Sequence, residues 1–374
     1  MRERDLLVQS AREFLGSGET SEILFEGSSL DESLLLERAL REGVAGLVAL
    51  RLERLSGKGH AEVPLRPFRR ELESVFARNG RLLAELSGLR RFLQQEGLEV
   101  ILLKGGALVQ TAYGGQLGLR PMSDLDLLIK EADRDSIREA LFERGFRSPR
   151  PSSSLFSNGA AIFDLHTDLV GTGRIRRRAL AARFSLEELW KEASPLDGRD
   201  GPVRVLSPYH QFLHLAVHAQ KHSFARLIWL VDLALVARGV DGDTLLAGAE
   251  STGTLRTVTY AVSAMEELFG LELPLGVKRS LPRLHRAERA LVAAVIERRE
   301  QQWGELALVF SIPSFRAKLG YLWEYLFPER KVLSETFPST PSWWVHARRL
   351  LQVIRRGFTE SARLLRGRGL PRAR

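Results

Sequence analysis

Leu98 to Leu108 reads LEVILLKGGAL, and Ser123 to Ile129 reads SDLDLLI. The first stretch is a short aliphatic and β-branched run that closes on Lys104-Gly105-Gly106, and Ala107 to Tyr113 then has a helical composition. The spacing predicts strand, tight turn, helix. In the second stretch strict alternation places Leu125, Leu127 and Ile129 on one face of a strand and Asp124 and Asp126 on the other. A half-buried strand thus presents two carboxylates to one side. Asp133 to Arg144 reads as an amphipathic helix ended by Gly145, and a Pro/Ser segment (Pro149 to Ser154) leads into Ala160 to Leu169. There Ala161, Phe163, Leu165 and Leu169 share one face, while Asp164, His166 and Asp168 share the other. This predicts a second strand with an acidic face.

Both flanks of this stretch read as helices. Upstream, Phe68, Leu72, Val75, Phe76, Leu82, Leu83, Leu86, Leu89 and Leu93 fall at helical spacing with Gly97 as the stop, and Leu34 to Leu55 has the same character, interrupted at Gly43. Downstream, Ser207 and Pro208 suit the start of a helix containing Phe212, Leu213, Ala216 and Val217, and Arg226 to Arg238 follows as a more apolar one. No internal repeat is present. The expected class is α+β: a helical N-terminal region (1–97), a small mixed-sheet core (98–205) and a helical C-terminal region (206–374).

Composition narrows the chemistry. With 374 residues, 44% of them hydrophobic, the chain has apolar material for more than one ordinary core. The absence of cysteine removes disulfide frameworks, thiolate zinc sites, iron-sulfur clusters and cysteine nucleophiles, and suits a reducing compartment. Met1 to Asp5 has no apolar run behind it, and no stretch approaches the ~18 apolar residues of a membrane span. A cytoplasmic protein without a transmembrane segment is the expectation. The net charge of +9 is concentrated in one place, because His346 to Arg374 holds nine arginines against the single acid Glu360. The body of the protein is nearly neutral, so the basicity concerns a tail.

Two aspartates at i and i+2 on a strand project the same way and can grip a shared pair of divalent cations at the separation phosphoryl transfer uses. A Gly-Gly turn opening a helix offers backbone N–H groups without side-chain bulk, which suits a polyphosphate. A third carboxylate from a neighbouring strand completes such a site and can take a proton from an attacking hydroxyl. Asp164 is the candidate. Each signal is common alone; their order along the chain is the informative part.

Lys104-Gly105-Gly106-Ala107-Leu108, then Tyr113, then Leu119 to Ile129 resemble the uncharacterised nucleotidyltransferase family within the DNA polymerase beta superfamily. Phe163-Asp164-Leu165-His166, the segment from His214 to His222 and that from Arg226 to Asp232 are similar to it as well, so the resemblance runs from about Arg78 to Arg238. It implies a polymerase beta-like core and transfer of a nucleoside monophosphate from a nucleoside triphosphate, with ATP and magnesium as the expected ligands, to an acceptor, with loss of pyrophosphate. By the same resemblance Asp124 and Asp126 hold two magnesium ions and Asp164 holds the one that activates the acceptor. Gly105 and Gly106 face the triphosphate, Ser123 is a further nucleotide-binding residue in the motif, and His218, Lys221 and His222 lie near the cleft. Here Gly106 is followed by Ala107 and precedes Asp124 by eighteen positions, where the superfamily usually has a serine and a shorter stretch.

Lys104 and Arg120 flank the proposed site and can neutralise phosphate charge. Equally, Lys104 can cap a strand at the surface and Arg120 can pair with Asp124 or Asp126. His210, His214, His218 and His222 recur every four residues, but the outer two would stand about 18 Å apart on a helix, so they read as packing or hydrogen-bonding histidines and not a zinc site. Asp232 with Trp229 reads as a structural pair. Trp343, Trp344, Ala347, Leu350, Leu351, Ile354, Phe358 and Leu365 form a helical stripe beside Arg348, Arg349, Arg355, Arg356 and Arg363: a docked helix with a basic edge, or a surface for RNA or anionic lipid. Small molecules, proteins and RNA ends all remain as acceptors. Two other readings use the same residues: a nucleotide-binding scaffold without turnover, and an RNA-associated factor acting through the tail.

Overall fold

The computed structural model describes residues 2–17, 31–57, 65–150, 153–196, 201–271, 275–289 and 308–353, apart from 287, 331, 334–336, 338–339 and 342. In chain order come α1 (Arg2–Phe14), α2 (Glu32–Glu42), α3 (Ala45–Gly57), α4 (Leu65–Glu96), β1 (Val100–Leu102), α5 (Lys104–Thr111), β2 (Leu125–Leu128), α6 (Arg134–Glu143), β3 (Leu155–Ser157), β4 (Ile162–His166), α7 (Leu186–Glu192), β5 (Ser194–Pro195) and β6 (Val203–Val205). Then follow α8 (Pro208–Lys221), α9 (Leu227–Ala237), α10 (Gly242–Ser251), α11 (Leu255–Phe269), α12 (Leu275–Ser280) and α13 (Phe315–Leu326). The architecture is α+β, with a six-stranded mixed sheet flanked in sequence by helices, as the patterning predicts.

The sheet order is β3-β4-β2-β1-β6-β5; β2 is parallel to β4, β1 is parallel to β6, and the other three pairs are antiparallel. Leu125, Leu127 and Ile129 face the layer made by Leu82, Leu86, Leu89 and Leu93 of α4 and by Ile137 and Leu141 of α6. Strand β2 is not half-buried, however. Ile101, Leu103 and Leu128 on the other face are covered by Leu169, Leu189 and Leu206, so every residue of β2 is buried and Asp126 lies in an enclosed environment.

Other departures are local. Strands β3 and β6 escape a reading based on alternation because three residues do not show a period. Phe76 is 57% exposed, since the buried stripe of α4 runs through Val75, Asn79 and Leu82 instead. Asn79 is the polar residue in that stripe, and its amide donates to the carbonyls of Leu117 (2.7 Å) and Arg120 (2.8 Å). It thereby fixes the loop leading into β2. Trp343 and Trp344 are exposed; residues 354–374, with Ile354, Phe358, Leu365 and three of the five stripe arginines, lie outside the described residues. Among the described residues no helix is long and apolar enough to cross a membrane.

The two helical flanks meet in space. One continuous buried cluster joins Leu6, Leu35, Leu47 and Leu52 of α1 to α3 with Phe212, Leu230, Val258 and Phe269 of α8, α9 and α11. Gly43 caps α2 in the left-handed conformation (φ +73), and a Cβ on Gly46 would lie 2.6 Å from the carbonyl of Gly118, so the α2–α3 corner presses against the loop before β2.

Candidate active site

Strands β2 and β4 run parallel in a register that sets Asp126 opposite Asp164 and Leu128 opposite His166. Side chains directly paired in a sheet project to the same face. Asp126, Asp164 and His166 therefore converge, each offering a ligand atom within 4.8 Å of the others. His166 Nε2 is 2.8 Å from Asp126 Oδ1 and 3.2 Å from Asp164 Oδ2. Lys104 Nζ lies 2.5 Å from the same Asp126 Oδ1.

Lys104 reaches that position through its backbone. It stands two residues after the end of β1 with φ +46, a left-handed conformation that costs a residue with a Cβ about 1–2 kcal/mol. The helix begins at Lys104, so Gly105 and Gly106 form its first turn and not a loop before it. They do different work. A Cβ on Gly106 would come within 2.8 Å of Leu102 and Leu125, so this glycine lets α5 lie on the sheet. Gly105 lines the cavity, and a Cβ on it would lie 2.9 Å from the side chain of Met122 and 3.0 Å from that of Arg120.

The electrostatics follow from burial and partners. Burial disfavours the Asp126 and Asp164 carboxylates, but the hydrogen bond and charge of His166, with Lys104 at Asp126, outweigh it and hold both below the usual carboxylate range. Burial would also depress His166, yet its bonds to the two aspartates raise its pKa to about 9. Asp124 precedes β2 and accepts from Ser123 Oγ (2.7 Å); burial, then the Asp126 charge, raise its pKa. Asp164 Oδ1 is buried without a hydrogen-bond partner.

A cavity of about 410 Å³, of a size suited to a small ligand, opens beside Asp124 and Asp126; Asp164 and His166 meet Asp126 but are not part of the cavity lining. Lys104, Gly105, Ser123, Asp124 and Asp126 line the sheet side, and Arg78, His218, Arg226 and Trp229 line the helical side. His218 packs edge-on to Trp229 (5.2 Å between ring centres), with His222 beside both. Burial, reinforced by Lys104, keeps His218 neutral and lowers the pKa of the fully enclosed His214 to about 3. Lys221 acts from further back, its charge adding to the depression of both histidines. His210 lies elsewhere, bonded to Ser207 Oγ at the start of α8.

Arg120 lines the cavity but pairs with neither Asp124 nor Asp126. Its guanidinium grips Asp232 of α9 (Nη2–Oδ2 2.8 Å, Nε–Oδ2 3.2 Å), and Tyr113 Oη donates to Asp232 Oδ1 (2.8 Å). Asp232 therefore partners Arg120 and Tyr113, not Trp229. Asp168 leaves the acidic face because β4 stops at His166; its carboxylate accepts from the N–H groups of Val170, Gly171 and Thr172.

Sequence reasoning passed over His166, Arg78, Arg226 and Trp229 as site residues. His166 was visible by alternation beside Asp164. Arg226 and Trp229 stand three apart, on one face of a helix start. Nothing local marks Arg78, which reaches the cavity from α4.

The donor set fits a divalent cation: carboxylate oxygens are hard ligands, and a buried carboxylate oxygen without a donor is an unmet demand for one. Residues 28–270, more than half of the chain, match the model of a family described as uncharacterised nucleotidyltransferase. No curated protein and no solved structure matches the chain.

Proposed function

The chain belongs to the uncharacterised nucleotidyltransferase family and is a transferase of that kind, and on this premise we propose the reaction and the residues that perform it. A nucleoside monophosphate passes from a nucleoside triphosphate, ATP foremost, to a hydroxyl or amine of a small molecule, protein or RNA acceptor. The acceptor–phosphorus bond forms as the α–β phosphoanhydride bond breaks, pyrophosphate leaves, and the acceptor proton passes to Asp164 Oδ1. The register that sets Asp164 beside Asp126, the carboxylate that lines the cavity, is the observation that carries this reading.

Asp124 and Asp126 would hold two magnesium ions, and Asp164 with Asp126 would share the one nearer the acceptor. Magnesium when bound supplies charge neutralisation at the α-phosphoryl group and a more acidic acceptor hydroxyl. The chain's own residues do the rest. Asp164 Oδ1, buried and unpartnered, is ready to receive a proton. Lys104 can exchange Asp126 for a phosphate oxygen from the cavity wall, and the first-turn N–H groups at Gly105 and Gly106 complement phosphate charge. Ser123 holds Asp124 in place. Neutral His218 beside Trp229, with His222 and Lys221 behind, offers an aromatic wall to the base or acceptor. Arg120, neutralised by Asp232, sets the shape of the phosphate side. A cysteine-free chain suits this reaction in the cytoplasm.

The test needs no acceptor. The four ribonucleoside triphosphates are titrated calorimetrically with magnesium into the wild type and Asp126→Asn. Selective, magnesium-dependent binding should weaken more than about 100-fold in the variant, since even outer-sphere changes cost 10–100-fold. A folded wild type that binds none of the four overturns the reading.

A further inference from the structure

The face of α9 that enters the cavity carries Arg226 and Trp229, with Asp232 a turn further on. Asp232 is committed to Arg120 and Tyr113. Arg226 is held differently. Its Nε donates to the carbonyl of Arg41 (3.2 Å) at the end of α2, and its guanidinium packs into the space that Gly43 leaves open, where a Cβ would stand 2.6 Å from Nη2. Arg226 forms no ion pair with any carboxylate among the described residues; the charge of Arg120 acts on it, and those of Asp232 and Glu42 act the other way. Arg78 reaches the same cavity from α4. Its Nε is buried without a hydrogen-bond partner, and its one acid, Glu71, is 3.8 Å from Nη2.

Two guanidiniums thus line the wall that also bears His218 and Trp229, one anchored by a backbone carbonyl and the other by a loose contact. Each keeps donors unspent. A guanidinium fork matches a phosphate bidentately, and a half-buried one that no carboxylate grips closely gains from an incoming anion. Burial and the Arg120 charge already push the Arg226 pKa down, which an anion would reverse. The carboxylates mark the reacting end of the cavity, so the anion on this wall is the part of the substrate that does not react.

We propose that Arg226 and Arg78 form the anion-binding side of the nucleotide cleft and receive the β- and γ-phosphates, later the pyrophosphate, of the nucleoside triphosphate. The assignment rests on the nucleotidyl-transfer reading and adds to it a role for the helical flanks. The α2–α3 corner positions one guanidinium and α4 delivers the other, so the helical flanks add to the phosphate contacts that Lys104 and the first turn of α5 offer from the sheet side.

The experiment uses the full chain and two probes, inorganic tripolyphosphate without metal and ATP with magnesium, titrated into the wild type, Arg226→Gln, Arg226→Lys and Arg78→Gln. Loss of a charge-assisted hydrogen bond should weaken tripolyphosphate binding about tenfold to hundredfold in each glutamine variant, and less in Arg226→Lys, which keeps the charge without the fork. Circular dichroism checks folding; should Arg226→Gln fail to fold, Arg78→Gln, at a partly exposed position of α4, carries the comparison. Unchanged tripolyphosphate affinity in folded glutamine variants overturns the assignment. When ATP binding at the same time needs magnesium and Asp126, the nucleotidyl-transfer reading stands without it. A wild type that binds neither probe overturns both.

Discussion

His166 and His214 lie in one neighbourhood and titrate in opposite directions, because one has acids to bond and the other does not. His166 Nε2 serves two carboxylates and its pKa rises to about 9; His214, enclosed and near Lys104, falls to about 3. The sign for stability follows. A histidine whose folded pKa exceeds its unfolded value near 6.5 stabilises the fold fully below that value, and the contribution fades as pH rises through the folded pKa. In chelator, the wild type should therefore lose on the order of 3 kcal/mol of unfolding free energy between pH 6.5 and pH 9, and His166→Gln should show little of this slope. Urea titrations across that range make the comparison, and a flat wild-type profile would contradict the bridging role. The alternation of Phe163-Asp164-Leu165-His166 made this histidine legible as a member of the acidic face. Its bond to Asp126 was not, because that depends on the neighbouring strand.

Elements are tied together around the site by single polar residues. Asn79 joins α4 to the loop before β2, and Asp232 joins that loop and Tyr113 to α9. The Arg120–Asp232 pair is almost fully buried, so removing one charge strands the other away from water. Asp232→Asn should lower stability by about 3–5 kcal/mol, read as a shift of the urea midpoint with an unchanged m-value. A loss under about 1 kcal/mol would mean that water reaches Arg120. Helix α5 shows the limit of local reading: Lys104-Gly105-Gly106 signals a strand-to-helix turn, but whether the glycines serve a ligand or the packing is decided by what stands over them. Gly106 meets Leu102 and Leu125 of the core, whereas Gly105 meets Met122 and Arg120, which line the cavity with it.

At the scale of the molecule, the boundaries near residues 97 and 205 mark changes of pattern in a chain whose parts interlock. Leu82, Leu86, Leu89 and Leu93 of α4 cover one face of the sheet, and α1 to α3 share a core with α8, α9 and α11. A fragment of residues 98–205 would expose that sheet face to water. It should lack a cooperative thermal transition, whereas residues 28–270, which retain α4 and most of the shared core, should unfold cooperatively; calorimetry of the two fragments decides. A cooperative transition in the shorter one would show that the sheet core folds alone.

The sequence by itself determined the elements and the chemistry they carry. Period-two alternation over SDLDLLI and over Ala160 to Leu169, helical spacing in the flanks and the order of glycines and aspartates are local properties, so they read directly as an α+β chain with paired carboxylates. Only the tertiary structure decided which of these side chains meet. Register between β2 and β4 brings Asp126, Asp164 and His166 together and leaves Asp168 in a turn. The covered second face makes Asp126 a buried group, and the return of the C-terminal helices onto the N-terminal ones delivers Arg78, Arg226 and Trp229 to the cavity. The physical reason is range. Backbone preference and side-chain period act between residues a few positions apart, while strand register, enclosure and charge pairing arise between residues as far apart as Arg78 and Arg226, which no local pattern relates.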